Sequence, residues 1–225
     1  MSISIASVHW ETSWRLVPSR FPPVSLFDRV ASESELSIVV SIEGITNARL
    51  RNEIGEINLV PEAERQFGPG TTPIMAAFTH INPEGSRFSN GSYGVYYAAN
   101  DIPTALAETR YHRELFLRRT NEPATEIDMR SYKSEINTDL HDIRGKQKEL
   151  SDVYDPNSYS ASRGLALSLR EQGSNGIIYN SVRNPGEECV AIFRANIPCP
   201  VTQGSHYCFL WDGNSIVDTY LKEAI

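Results

Sequence analysis

Basic tracts, long apolar runs and clustered metal ligands are all missing from this chain of 225 residues. The formal charge is -7 and the isoelectric point lies near 5.3. Without a run of Lys and Arg there is no electrostatic footprint for gripping a phosphate backbone, so direct nucleic-acid binding is not expected. No apolar stretch approaches the roughly 18 residues that a membrane-spanning helix needs. The opening Met1-Ser2-Ile3-Ser4-Ile5-Ala6 carries no positive charge and soon meets His9, Glu11 and Arg15. It does not read as a secretory leader, and a cytoplasmic protein is expected. Cysteine is scarce: Cys189, Cys199 and Cys208 are an odd number without CxxC spacing. Reduced, buried thiols follow from that pattern. The five histidines are scattered and HExxH is absent, so no metal site is expected. Neither GxGxxG after a strand nor GxxxxGK[ST] occurs, which removes Rossmann and P-loop nucleotide sites.

What is present suits a folded enzyme-sized domain. Hydrophobic residues make up 40%, with ten tyrosines and eight phenylalanines. That is enough for a core, and the length suits one domain over residues 1–225. The punctuation of the chain predicts a mixed α+β fold. A strand is expected over 8–17, then helices over Ser25–Ser37 and Ser41–Glu53 within a helical insertion at about 25–67. Pro61–Arg65 opens a short helix, and Thr72–Phe78 is left as strand or helix. Tyr93–Ala99 reads as a strand, with Asn100 or Asp101 capping a helix that tolerates Pro103 in its first turn and runs to about Arg113 or Leu117. A strand over Glu126–Met129 and a helix within Asp155–Glu171 follow. Two buried strands, Gly176–Tyr179 and Cys189–Phe193, flank the turn at Asn184-Pro185-Gly186. A C-terminal hairpin at about 206–221 turns at Asp212-Gly213-Asn214.

Three short stretches carry the chemistry. Gly85-Ser86-Arg87-Phe88-Ser89 sets an arginine in a turn, and Gly94-Val95-Tyr96-Tyr97 ends a strand. Thr104-Ala105-Leu106-Ala107-Glu108 lies on a helix, with Glu108 two turns beyond its cap and so on the cap's face. Arginine offers a rigid fork for phosphate, tyrosine an aromatic platform, and glutamate a charge opposite a developing cation. Gly176-Ile177-Ile178-Tyr179-Asn180-Ser181 adds a hydroxyl at another strand end. Each residue also has a plain structural reading. Arg87 could pair with Glu84 or Glu108, Tyr97 could be core, Glu108 could pair with His112, and Ser181 could be a turn serine. Because side chains alternate along a strand, only one of Tyr96 and Tyr97 should line a cleft. Ser181 lacks a GxSxG setting, so a hydrolase nucleophile is not expected.

In order and spacing these stretches resemble the RES-domain family of bacterial toxins. Gly85–Ser89 is similar to the family's Gly-Gly-Arg-Trp-Asn stretch, with Phe88 and Ser89 in place of Trp and Asn. Thr104–Glu108 resembles its helical glutamate motif, Ile177–Gly186 its serine motif, and Trp14-Arg15-Leu16 its opening strand. The resemblance covers about residues 13–195. It implies an ADP-ribosyltransferase-like fold with a central split β-sheet and surrounding helices. It also implies an NAD+ phosphorylase that cleaves the nicotinamide–ribose bond with inorganic phosphate as co-substrate. NAD+ is then a substrate, and no cofactor or metal is needed. Glu108, Arg87 and Tyr97 become catalytic residues, and Ser181 with Arg15 or Arg20 becomes substrate-binding. Glycohydrolysis, mono-ADP-ribosyl transfer to a macromolecule and a non-enzymatic binding module remain the alternatives. The partner implied is a cognate helix-turn-helix antitoxin, in a complex where the toxin itself could form a homodimer.

Overall fold

A computed structural model describes residues 3–19, 26–43 and 55–223. Strand β1 (Ile5–Pro18) is followed by short helices α1 (Leu26–Arg29) and α2 (Glu33–Glu43) and by 3-10 turns at Ile57–Leu59 and Glu62–Glu64. Then come α3 (Thr72–Thr79), β2 (Tyr96–Ala99), α4 (Ile102–Arg119), β3 (Thr125–Asp142) and α5 (Ser160–Glu171). Strands β4 (Gly176–Asn180), β5 (Glu188–Ile192), β6 (Thr202–Trp211) and β7 (Ile216–Lys222) complete the order. The fold is mixed α/β, with helices flanking one seven-stranded sheet of order β1-β2-β5-β4-β3-β6-β7.

The sheet is split. β3 is its spine, and one edge of β3 pairs with β1 from Met129 to His141. The other edge pairs with β6 up to Lys133 and with β4 only at His141 and Asp142. Between those stretches that edge meets single groups instead: Cys199 donates its N–H to the Glu135 carbonyl at 3.1 Å, and Asn175 reaches Thr138. The sub-sheet β4–β5–β2 therefore diverges from β1–β3–β6–β7, rejoined by the single register pair Trp14–Ala99. All pairings are antiparallel except β3–β4.

Two apolar cores follow from side-chain alternation. On one face, Ile74, Met75 and Phe78 of α3 pack with Tyr96, Ile136, Ile178, Val190 and Ile192. On the other, Ala105 and Leu117 of α4 and Ala166 and Leu169 of α5 cover Ile177, Tyr179, Cys189, Ala191 and Phe209. Each fully buried side chain of this size contributes about 1.5–3 kcal/mol. The approach of α3 to β2 is close enough to demand glycine. A Cβ on Gly94 would run into the backbone of Ala77 and Phe78.

Several expectations change in detail. The helix expected over Ser25–Ser37 is broken at Val30–Ser32. Ser32 starts a new helix as its cap: its hydroxyl accepts from the Glu35 N–H at 3.3 Å, and the Glu35 carboxylate reaches back one residue past the cap to accept from the Ala31 N–H at 2.8 Å. Most of the segment expected over Ser41–Glu53 lies outside the described residues, as does Arg20. Thr72–Phe78 is helical, and the strand expected over Glu126–Met129 extends to Asp142. Cys189 and Cys208 are buried, but Cys199 is exposed, because it follows Pro198 in a surface connection outside the strands. No described helix is long and apolar enough to cross a membrane, and no metal-binding group of His, Cys, Asp or Glu occurs among the described residues.

Candidate active site

Helix α4 supplies the centre of the site. The Asp101 carboxylate caps it, accepting from the Thr104 N–H at 2.8 Å, and Pro103 sits where no amide donor is needed. From that cap, Thr104, Glu108, Tyr111 and His112 fall on one face at spacings of three and four. The turn after β4 meets this face. Glu108 Oε1 accepts from the Ser181 hydroxyl at 2.6 Å, from the Val182 N–H at 3.2 Å and from the Arg183 N–H at 3.4 Å. Ser181 Oγ in turn accepts from the N–H groups of Arg183 and Asn184, at 3.1 and 2.9 Å. The Asn184 amide donates to Thr104 Oγ1 at 2.8 Å. One carboxylate oxygen is thus locked in place. Among the described residues nothing hydrogen-bonds to Oε2, and Glu108 is half-buried. The Ser181 hydroxyl is engaged on both sides, donating to the carboxylate and accepting from two N–H groups of its own turn. Beneath it, burial and the Glu108 charge push the Cys189 thiol well up, so that sulfur stays protonated and inert.

Arg87 and Tyr97 take roles that their residue types alone do not announce. The Tyr97 hydroxyl accepts from the Phe88 N–H at 2.9 Å and shares a 2.7 Å hydrogen bond with Ser86 Oγ. It braces the Arg87 turn from below, and burial raises its pKa far above the ordinary phenol value. Arg87 is buried, with 5% of its surface exposed. Its Nη1 donates to the carbonyls of Val153 and Asp155 at 3.1 and 3.0 Å, and its guanidinium lies 4.5 Å from the Tyr159 ring centroid. It forms an ion pair with neither Glu84 nor Glu108. Glu84 pairs with Arg119, and no Arg87 bridge exists among the described residues. Tyr97→Phe is expected to lose about 1–3 kcal/mol, since it leaves the Phe88 N–H without its acceptor. At roughly 2–4 °C per kcal/mol for a chain of this size, a thermal melt reads that loss directly.

Residues outside the expected set complete the cleft. Arg183 lies flat over the Tyr111 ring, 3.2 Å from its centroid, and donates to the Pro156 carbonyl. Tyr111 also donates to that carbonyl, at 3.1 Å. The loop 153–159 is therefore held to α4 and to the Ser181 turn by Arg87, Tyr111 and Arg183 together. The spacing of Tyr111 and His112 from Glu108 was the available signal for them, and proximity to Ser181 was the signal for Arg183.

Arg15 lies elsewhere. Trp14 and Leu16 face the α4 core, so alternation turns Arg15 to the other face, where its guanidinium sits 5.0 Å from the Tyr96 ring centroid. It donates to the Tyr97 carbonyl at 3.1 Å, and burial lowers its pKa. A cavity of about 170 Å³ opens there, lined by Arg15, His80, Asn82, Ser86, Tyr93 and Tyr97 among others. Glu108 does not line it, whereas Ser86 and Tyr97, which meet at the Arg87 turn, do. The structure brings Glu108, Ser181, Arg87 and Tyr97 into one neighbourhood and sets Arg15 behind Tyr97.

The RES domain matches residues 63–212, which span the Arg87 turn, α4 and the Ser181 turn. An uncharacterized protein of Sinorhizobium fredii, y4oC, is 33% identical over 205 residues, covering 90% of this chain and 84% of that protein. A chain of the crystal structure of the M. tuberculosis MbcT–MbcA toxin–antitoxin complex is 11% identical. That superposition covers 89% of this chain and 85% of that one, with a TM-score of 0.47.

Proposed function

The chain belongs to the RES-domain family, and from that membership we propose that it is an NAD+-cleaving enzyme, the toxin of a toxin–antitoxin pair. The observation that carries the reading is Glu108: a half-buried carboxylate with one oxygen fixed by Ser181 and two backbone N–H groups, and the other without a hydrogen-bond partner among the described residues. A fixed negative charge is what a glycosidic cleavage through a ribosyl cation calls for. In the proposed step the bond between ribose C1′ and the nicotinamide nitrogen breaks. The electron pair leaves with neutral nicotinamide, positive charge develops at C1′, and Glu108 Oε2 stabilises it and orients the ribose hydroxyls. An acceptor oxygen then bonds to C1′. We take the split sheet as support for an ADP-ribosyltransferase-like fold.

Phosphate is the acceptor we assign, giving ADP-ribose phosphate. Water would give ADP-ribose, and a macromolecular nucleophile an ADP-ribosylated product. Incubating the purified protein with NAD+ tests all three. Nicotinamide release is expected, accelerated by added inorganic phosphate and accompanied by a phosphorylated sugar nucleotide. Release indifferent to phosphate would move the assignment to water. Label transferred to a protein or RNA would move it to a macromolecule, and unchanged NAD+ would reject cleavage altogether. An enzyme that drains NAD+ needs restraint, so the proposed antitoxin, a helix-turn-helix protein, is assigned to cover this cleft. The isolated complex should then turn over little NAD+.

A further inference from the structure

Beside Glu108 stands a side chain that the mechanism above leaves unused. His112 lies one helical turn along α4 from Glu108, on the same face. Its ring sits between two aromatic rings, 5.4 Å from Tyr111 at an interplanar angle of 78° and 6.3 Å from Tyr159 at 54°. Those rings are the ones on which Arg183 and Arg87 lie. His112 is therefore at the junction of the Ser181 turn, the loop 153–159 and the Arg87 turn. It is solvent-exposed, with the Tyr111 and Tyr159 rings beside it. Among the described residues neither ring nitrogen has a hydrogen-bond partner, so both are available to a ligand.

We propose that His112 is the general base of the reaction, taking the proton from the acceptor as its oxygen bonds to C1′. This rests on the NAD+-cleaving reading of the same site. In balanced form, water gives a ring nitrogen of His112 the proton of its attacking oxygen, whereas dihydrogen phosphate attacks through an oxygen that is already anionic and gives His112 the proton of one of its remaining hydroxyls. The oxygen forms the bond to C1′, and nicotinamide departs with the electrons of the bond it leaves. Glu108 holds the ribosyl cation, and His112 activates what attacks it.

The surroundings favour the neutral imidazole that a base must be at neutral pH. Desolvation lowers the His112 pKa most, Glu108 opposes it, and Arg183, Arg87 and Arg113 lower it further. Tyr111 and Tyr159 face the ring from α4 and from the loop. The base form therefore persists to a pH below the ordinary histidine value of roughly 6.5. Activity should be full above that lowered pKa and fall as the pH drops through it.

His112→Gln is expected to lower kcat by roughly 10²–10⁴-fold and to remove that acidic limb. In His112→Ala, added imidazole should restore part of the rate, with melting temperatures confirming that both variants fold. A second readout needs no turnover. The His112 ring-proton resonance, assigned by its loss in His112→Gln, should titrate below the ordinary value and shift when inorganic phosphate is added. Wild-type cleavage of NAD+ with an unchanged limb in His112→Gln and no imidazole rescue would overturn the base while leaving the function standing. A resonance that titrates normally and ignores phosphate would overturn it too. Wild-type protein that leaves NAD+ intact would reject the parent reading, and the base with it.

Discussion

Replacing Glu108 by Gln is expected to cut NAD+ turnover by roughly 10²–10³-fold while moving the melting temperature by no more than about 2 °C. The amide keeps a carbonyl oxygen where Oε1 now accepts from Ser181 and from the N–H groups of Val182 and Arg183. The turn after β4 thus keeps its anchor. What disappears is the negative charge opposite the ribosyl cation, an interaction that strengthens only as the glycosidic bond breaks. The loss should therefore fall on kcat and spare KM. Glu108→Ala separates the two jobs of the side chain. It strips the Ser181 hydroxyl and two amides of their acceptor, so it should also cost about 1–3 kcal/mol of stability. Equal turnover in wild type and Glu108→Gln would remove Glu108 from the mechanism, whatever the melts show.

The readable parts of this fold were those whose signal is local. Asp101 followed by Pro103 announces a helix start, and the cap forms as the residue types demand. The apolar runs of β4 and β5 and the Asp212-Gly213-Asn214 turn are equally self-contained. β3 was mostly missed because its buried face is not uniformly apolar. Tyr132, Ser134 and Ile136 point inward, Lys133, Glu135 and Asn137 outward, and the buried serine weakens the alternation. The Ser134 hydroxyl is satisfied by the Cys199 carbonyl, a partner far along the chain that no local pattern reveals. The break before α2 was legible in principle, since Ser32 and Glu35 have capping-box spacing, yet the apolar pattern of Leu26, Phe27 and Val30 masked it.

The site divides in the same way. The sequence singles out Glu108, Tyr97, Arg87 and Ser181 but not their contacts, because those contacts are largely backbone atoms. That Arg87 is held by the carbonyls of Val153 and Asp155 is a contact its residue type does not announce. Arg15 shows the other failure. Its separation from Glu108 follows from strand alternation, but only once Trp14 and Leu16 are known to face the α4 core.

Arg87→Ala should accordingly be a stability variant first. The substitution leaves the buried Val153 carbonyl and the partly buried Asp155 carbonyl without donors and opens a void against the Tyr159 ring. Lost charge-assisted hydrogen bonds and cation–π contact together predict a cost of about 3–5 kcal/mol. For a chain of this size that corresponds to a fall of roughly 10 °C in melting temperature. Truncating Arg119, whose pairing with Glu84 is exposed, should change stability by about 0.5 kcal/mol or less. Arg87→Lys keeps the charge but not the planar fork, so it should fall between wild type and Arg87→Ala. Turnover should fall with stability, because the loop 153–159 carries Tyr159 and the Pro156 carbonyl to which Tyr111 and Arg183 are tied. The competing expectation, an arginine that only grips phosphate, makes the opposite pattern: an unchanged melt and a raised KM. Measuring both quantities on Arg87→Ala decides between them. A melt within about 2 °C of wild type would return Arg87 to phosphate binding and leave the loop to Tyr111 and Arg183 alone.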